Sequence, residues 1–393
     1  MRYTGVTSRG IIMPIFQEGD DLVSFIAEGL VRAAENEGFS LQDRDVLGVT
    51  EAVVARTQGN YATVQQIAKD VREKLGGKDM GIVFPILSRN RFAIMLRALT
   101  MSCEKLYVQL SYPSDEVGNH LISEDEVYEK KVNPYHDSFE EAGFRNTFGS
   151  DTVHPFTGVD YIEYYKSMGD NIEIVFSNDP CHILQYTKNV INCDIHSRKR
   201  TKRVLQDGGA ERVFSLDDIM TASVDGSGYN EHYGLLGANK ATEEKVKLFP
   251  RNCQDFVDRL QKRVAEMTGK QLEVMIYGDG GFKDPVGGIW ELADPVVSPA
   301  FTEGLRGTPN ELKMKYFADN DLSHFSGKEL SDAMKEKIRE KDANLVGDMT
   351  SQGTTPRQLT DLLGSLCDLT SGSGDRGTPV VLIQNYFTNY ATE

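Results

Sequence analysis

The sequence predicts an α+β fold, with strands and helices interspersed along the chain and one long stretch of different texture. Three observations carry this. Short apolar runs of strand length, Asp45–Thr50, Leu272–Tyr277 and Val380–Ile383, stand far apart in the chain and are bounded by turn residues. Between them lie segments of helical period, such as Leu22, Phe25, Ile26, Leu30 and Ala33 at i, i+3, i+4 spacing. Residues 103–228 have another texture: polar, aromatic and turn-rich, with most of the histidines.

In order, Gly10–Phe16 reads as a short strand ending near Pro14, and Asp20 or Asp21 is placed to cap the Leu22 helix, which Gly38 ends. The Asp45–Thr50 strand leads into Glu51–Gly59, where Arg56 is placed either to meet an anion or to face solvent. Val64–Leu75 is an amphipathic helix closed by Gly76-Gly77, and Met80–Leu87 is a further apolar stretch. Arg89 and Arg91 open a helix from Phe92 to Met101, a start suited to a carboxylate or phosphate and equally to a solvated entry. Cys181, His182, Cys193 and His196 are ligand types for tetrahedral zinc, but their spacing fits no familiar finger. Arg198–Arg203 is the one dense basic run, able to steer an anion or simply to be solvated.

After a loop at Gly237–Thr242, Val246–Pro250 reads as a strand and Asp255–Met267 as a helix. The strand Leu272–Tyr277 then breaks at Gly278-Asp279-Gly280-Gly281, presenting a carboxylate at a sheet edge, where ligands of such sheets bind. The same letters also spell an ordinary Asp-Gly turn. Ser326–Glu329 is a capping-box pattern, and Thr355-Pro356 opens a helix with Leu359, Leu362, Leu363 and Leu366 as its apolar stripe. The loop Ser371, Gly372, Ser373, Gly374, Asp375, Arg376, Gly377, Thr378 can turn successive N–H groups toward an anion, or be a flexible surface loop.

Composition excludes several classes. The chain has 393 residues, 39% of them hydrophobic, which implies two or three domains. With 43 Lys and Arg against 59 Asp and Glu, its net charge of −16 argues against a broad nucleic-acid surface. Five scattered cysteines make no disulfide framework, which points to a reducing compartment. No run approaches the roughly 20 apolar residues of a membrane span, and the expected location is cytoplasmic.

Taken in this order, these signals resemble one family, the coenzyme F-420-0:L-glutamate ligases. The resemblance runs through Met13-Pro14-Ile15-Phe16 and the Glu18-Gly19-Asp20-Asp21-Leu22 helix start, then Asp45–Gly59, Ala238–Thr242 before Phe249-Pro250, Asp279-Gly280, and Arg357–Ile383. It implies an enlarged γ-glutamyl ligase fold, a homodimer, divided at 1–102, an insertion 103–228, core 229–300, a helical insertion 301–354, and core 355–393. It implies a GTP-dependent amide ligase, using Mg or Mn, that joins L-glutamate to a small anionic acceptor through an acyl phosphate. The nucleotide would meet Met13, Pro14, Ile15, Phe16, Glu51, Ala52, Arg56, Thr242 and the 371–378 loop, and Asp279 and Arg56 would be catalytic. Metal ligands carry over to Asn239, Asp279, Gly280 and Ser373, of which Asp279 is the one acid; Glu51 and Asp284 are acids nearby. These departures give a rival expectation, a non-enzymatic homologue that binds a nucleotide or deazaflavin-like ligand. The 103–228 region is expected to reshape the acceptor pocket.

Overall fold

The fold is taken from a computed structural model, which describes residues 3–150, 152–154, 157–278, 298–351, 358–371 and 374–392, and the backbone alone of 281–283 and 290–292. β1 (Thr7–Ile11) leads through an extended segment to α1 (Leu22–Glu37). β2 (Val46–Thr50) passes directly into α2 (Glu51–Thr57), and β3 (Tyr61–Thr63) into α3 (Val64–Leu75). Next come β4 (Met80–Val83), α4 (Phe92–Thr100), β5 (Leu106–Leu110), α5 (Glu124–Glu129), β6 (Phe139–Glu140), α6 (Glu141–Phe148) and α7 (Tyr161–Lys166). β7 (Ile172–Phe176), β8 (Asn189–Asn192), α8 (Arg198–Asp207) and β9 (Arg212–Ser215) complete that stretch. The remainder is β10 (Asn239–Lys240), β11 (Lys245–Lys247), α9 (Cys253–Thr268), β12 (Glu273–Tyr277), β13 (Gly281–Lys283), β14 (Trp290–Leu292) and β15 (Ala300–Phe301). It closes with α10 (Met314–Asp319), α11 (Gly327–Arg339), α12 (Leu359–Ser371) and β16 (Val380–Gln384).

Helices plus mixed sheets make this the expected α+β fold. The central sheet has the order β1-β16-β2-β12-β15, with β2 and β12 parallel and the other pairs antiparallel. Its strands alternate between two cores. Leu47, Val49, Val274, Ile276, Val380 and Leu382 pack under α1 and α9, while Val46, Met275, Val381 and Ile383 pack under α12. Burying each such side chain contributes about 1.5–3 kcal/mol, which is why these runs are apolar on both faces. Gly48 lets α12 approach: a Cβ there would lie 2.4 Å from Cys367 Sγ.

A second sheet has the order β6-β7-β5-β4-β8-β9, parallel except for β6. α4 and α6 cover one face, and α8 with a 3-10 turn at Pro180–Gln185 covers the other. The boundary expected after residue 102 therefore falls inside this sheet, between α4 and β5. The physical reason is that Met80–Val83 is a fully buried strand that needs a parallel neighbour on each side. A small third sheet, β10-β11-β3, stands between the two. Its Lys240 N–H donates to Asn90 O at 2.8 Å beside α4, and its Lys247 reaches α2.

Local expectations mostly hold. Asp21 caps α1 through Ser24 N, and Gly38, Gly76 and Gly269 end their helices with left-handed backbone. A capping box of Thr63 and Gln66, not anticipated from the sequence, opens α3. Three differ. The first strand spans Thr7–Ile11, because 12–16 leaves the sheet edge. Ser326 sits at the start of α11 but makes no side-chain cap bond. On α12 the buried stripe is Leu359, Leu363 and Cys367, with Leu362 and Leu366 at its margins; Thr355-Pro356 lies outside the described residues.

Candidate functional site

Strand directions decide where the segments singled out in the sequence end up. Thr50 pairs with Tyr277 across parallel β2 and β12, Val380 pairs with Val49, and Ile11 pairs with Val380. The carboxyl ends of β1, β2 and β12 and the amino end of β16 thus share one edge of the central sheet. Four segments leave from that edge: 12–16, α2, the chain that continues from Tyr277, and residues 374–378 before Pro379.

Hydrogen bonds lock these segments together. Met13 N donates to Gly377 O at 3.0 Å, Thr50 N to Pro379 O at 3.0 Å, and Gly19 N to Thr57 O at 2.9 Å. Arg56 Nε donates to Phe16 O at 2.5 Å, so the exposed guanidinium is aimed by a backbone carbonyl. Tyr277 Oη and Ser371 Oγ lie 2.7 Å apart, tying the last residue of β12 to the end of α12. Thr378 Oγ1 donates to Ser371 O at 3.2 Å, and Arg376 Nη1 to Thr370 O at 3.2 Å. Gly10 faces Thr378, whose Cβ would lie 2.8 Å from a Cβ at position 10.

Individual roles divide within the predicted groups. Met13 and Phe16 point into the core, while Pro14 and Ile15 are exposed. Glu51 opens α2 with its carboxylate buried, in an ion pair with the Lys247 ammonium. Ala52 is half-buried on the same turn, and Gly374, Asp375, Arg376 and Gly377 are exposed. Asn239 is the strand partner of Lys247, which brings it to the same edge. Thr242 does not join them. It stands at the exposed tip of the β10–β11 hairpin, where its N–H donates to Lys245 O and its Oγ1 accepts from Glu244 N. Asp279, Gly280, Asp284, Gly372 and Ser373 lie outside the described residues.

Lys247 is the residue that the sequence reading missed. Between Val246 and Leu248 it reads as the outward residue of a half-exposed strand, and only its pairing with Glu51 on α2 reveals that it is buried. Burial pushes the Cys253 thiol up to about 12, and the Glu51 and Glu231 carboxylates add to that.

The donors do not by themselves make a divalent-cation site. Among the described residues no group of three His, Cys, Asp or Glu side chains is placed to hold a metal. Glu51 is engaged by Lys247, and Asn239 offers one amide oxygen. The same holds for the Cys181, His182, Cys193, His196 zinc set. Cys193 is buried, Cys181 packs on α8, and His196 Nδ1 pairs with Glu116 Oε2 at 2.8 Å.

The chain matches the family model described as F420-0:Gamma-glutamyl ligase over residues 10–385. It belongs to that family. No curated protein matches it. Membership makes this a γ-glutamyl ligase fold, and all four segments at the central edge lie within the matched range. Among the described residues no helix is long and apolar enough to cross a membrane.

Proposed function

We propose that the protein is a nucleotide-dependent amide ligase that joins L-glutamate to a carboxylate-bearing anionic acceptor such as coenzyme F-420-0, at the carboxyl edge of the central sheet. One observation carries this reading: segments 12–16, 50–56 and 374–379 and the end of β12 meet at that edge and are hydrogen-bonded to one another. In the reaction, an acceptor carboxylate oxygen attacks the terminal phosphorus of GTP, giving an acyl phosphate and GDP. The glutamate amine then attacks the acyl carbon, the bond to phosphate oxygen breaks, and the amine gives up a proton. Such a route needs cations on the phosphates and a pocket that keeps water from the acyl phosphate. Arg56 supplies a fixed cation there, and the 374–378 backbone supplies N–H donors. Mg or Mn is the metal that the family chemistry calls for, with Asp279 and Ser373 as its remaining candidate ligands. Residues 103–228 shape the acceptor side, and two chains form the working dimer.

The test is product formation. Chain, F-420-0, L-glutamate and GTP with Mn yield a glutamylated product with GDP and phosphate in equal amounts. No product with GTP or ATP, with or without metal, refutes the ligase reading. A second reading rests on the ion-paired Glu51 and the amide at Asn239: a homologue that binds nucleotide without turning it over. A melting midpoint that rises with GTP concentration, with no product, selects it.

A further inference from the structure

The central sheet ends at β1, which has no strand on its outer side among the described residues. The direction of its free backbone groups follows from β2. Thr50 N donates to Pro379 O, and in an antiparallel pair the residues that exchange such bonds alternate with those that do not. Val381 and Ile383 therefore turn their backbone groups to β2, and Val380, Leu382 and Gln384 turn theirs to Ile11, Arg9 and Thr7. Ser8, Gly10 and Ile12 are left with N–H and C=O groups pointing away from the sheet.

Exposed edges commonly carry an outward lysine, a proline or a bulge that stops another strand from adding. The stretch 7–12 has no lysine and no proline, and its one charge, Arg9, is turned back onto the sheet. Arg9 Nη1 donates to Gln384 Oε1 at 2.6 Å, and the guanidinium lies 4.8 Å from the centre of the Phe39 ring. Beside the edge a groove of about 790 Å³ runs between β1 and α1, from Pro14 and Phe25 to Arg9 and Phe39. From Phe25 to Glu37 a helix rises roughly 18 Å, the length of about five residues of extended strand.

Two features say what fits there. Apolar side chains are exposed at both ends of the edge, Tyr3 and Val6 before it and Ile12 and Ile15 after it, the last two 77% and 87% exposed. Within one chain β1 keeps the two groups apart, whereas an antiparallel second copy sets each against the other. The groove is also lined by Arg9 and Arg32 against Glu28 and Glu37. It is neutral in a chain of net charge −16, so two copies repel least at this face.

We propose that a second copy of this chain docks on β1, the two β1 strands pairing antiparallel about a two-fold axis at Gly10, so that one continuous sheet runs through both. Ser8 then exchanges backbone bonds with Ile12 of the second copy, and Gly10 with its own counterpart, about six bonds in all. Glycine suits the axis, where a residue meets itself: a Cβ at position 10 would lie 2.8 Å from Thr378 Cβ. In this register residues 3–6 of one copy pass beside 14–17 of the other, so the second copy completes the rim of the central edge at 12–16. This gives the dimer of the proposed function its interface. The test reads association without catalysis, so either reading can fail while the other stands.

The experiment is analytical ultracentrifugation of the full chain over a range of concentrations, together with oxidative cross-linking. The parent sediments as a dimer at micromolar concentration. Ile12→Lys with Ile15→Lys weakens association by about tenfold or more, by adding like charges to both copies at the pairing edge. Both side chains are exposed in the single chain, so its folding is not at risk. Mild oxidation joins two copies of a variant carrying Ser8→Cys and Ile12→Cys, through a disulfide from position 8 of one to position 12 of the other. Either cysteine alone stays unjoined, because its counterpart lies roughly 13 Å away in this register. A parent that remains monomeric up to about 100 μM overturns the proposal and leaves the groove to a strand of another protein. A dimer that the two lysines leave intact, or that the cysteine pair fails to join, overturns it as well.

Discussion

Replacing Lys247 by Met tests whether the buried ion pair at the central edge holds that edge together. The Lys247 and Glu51 side chains are 10% and 5% exposed, so neither charge is well solvated. In contact, two unit charges attract by about 4 kcal/mol at an effective dielectric near 20. Removing the ammonium takes the ion-pair partner from a buried carboxylate at the first residue of α2, and the loss of stability should be about 3–5 kcal/mol. Removing both charges, with Lys247→Met and Glu51→Leu together, should bring the protein back to within about 1–2 kcal/mol of the parent, because no charge is then stranded. Equilibrium urea unfolding, read by far-UV circular dichroism and by fluorescence, gives both numbers. If Lys247→Met alone costs under about 1 kcal/mol, or the double variant is as unstable as the sum of the singles, the pair is not what organises this edge.

Other outcomes follow from single contacts. Gly48→Ala drives a methyl to 2.4 Å from Cys367 Sγ and should cost about 1–3 kcal/mol, part of which Cys367→Ala restores in the same urea assay. Gly76→Ala, at a φ of 89°, should cost about 1 kcal/mol or more by forcing a side chain into left-handed backbone at the end of α3. Arg56→Met should raise the nucleotide KM by about tenfold or more, with a smaller effect on the KM for glutamate, as expected for one lost charge-assisted contact. For the Glu116–His196 pair, the hydrogen bond to Glu116 raises the His196 pKa above 6.5. Burial pushes Glu116 up, but the bonds from His196 and Ile195 outweigh it and leave its carboxyl below 4.5. The His196 contribution is therefore full below 6.5 and lost as pH rises through its raised value. That of Glu116 is present above 4.5 and lost as pH falls through its lowered value. An NMR titration of His196 should show a midpoint above 6.5 that falls in Glu116→Gln; no change between the two would remove Glu116 as the cause.

Local structure was legible because it is written in neighbours. The stripe on α1, its Asp21 cap and the glycines that stop α1 and α3 each depend on a few adjacent residues. The six-stranded sheet was not legible. Its strands are two to five residues long, and their partners lie tens of residues away, so no local window contains both members of a pair. A boundary drawn at a change of texture after 102 therefore cut between α4 and β5, because texture follows surface composition while pairing follows backbone geometry. At the central edge, chain order brought out the right segments, but side-chain direction stayed hidden. Met13 and Phe16 face the core while Ile12 and Ile15 are exposed, a division that the run of apolar letters does not encode. Lys247 escaped notice because a strand with one charge in it reads as half-exposed until its partner on α2 is known.

The placement of β16 has a consequence for how the chain comes to be folded. It lies between β1 and β2, about 330 residues further along the chain than β2, and supplies the edge with Pro379 and the loop before it. During synthesis, β4 to β9 emerge as one continuous stretch and can pair as they appear, whereas β1 and β2 must wait. For that interval two apolar strands have bare hydrogen-bonding flanks, which is a condition for sticking to other nascent chains. A ribosome that stalls before Val380, or a nonsense codon there, would release a molecule whose six-stranded part is finished and whose central edge does not exist.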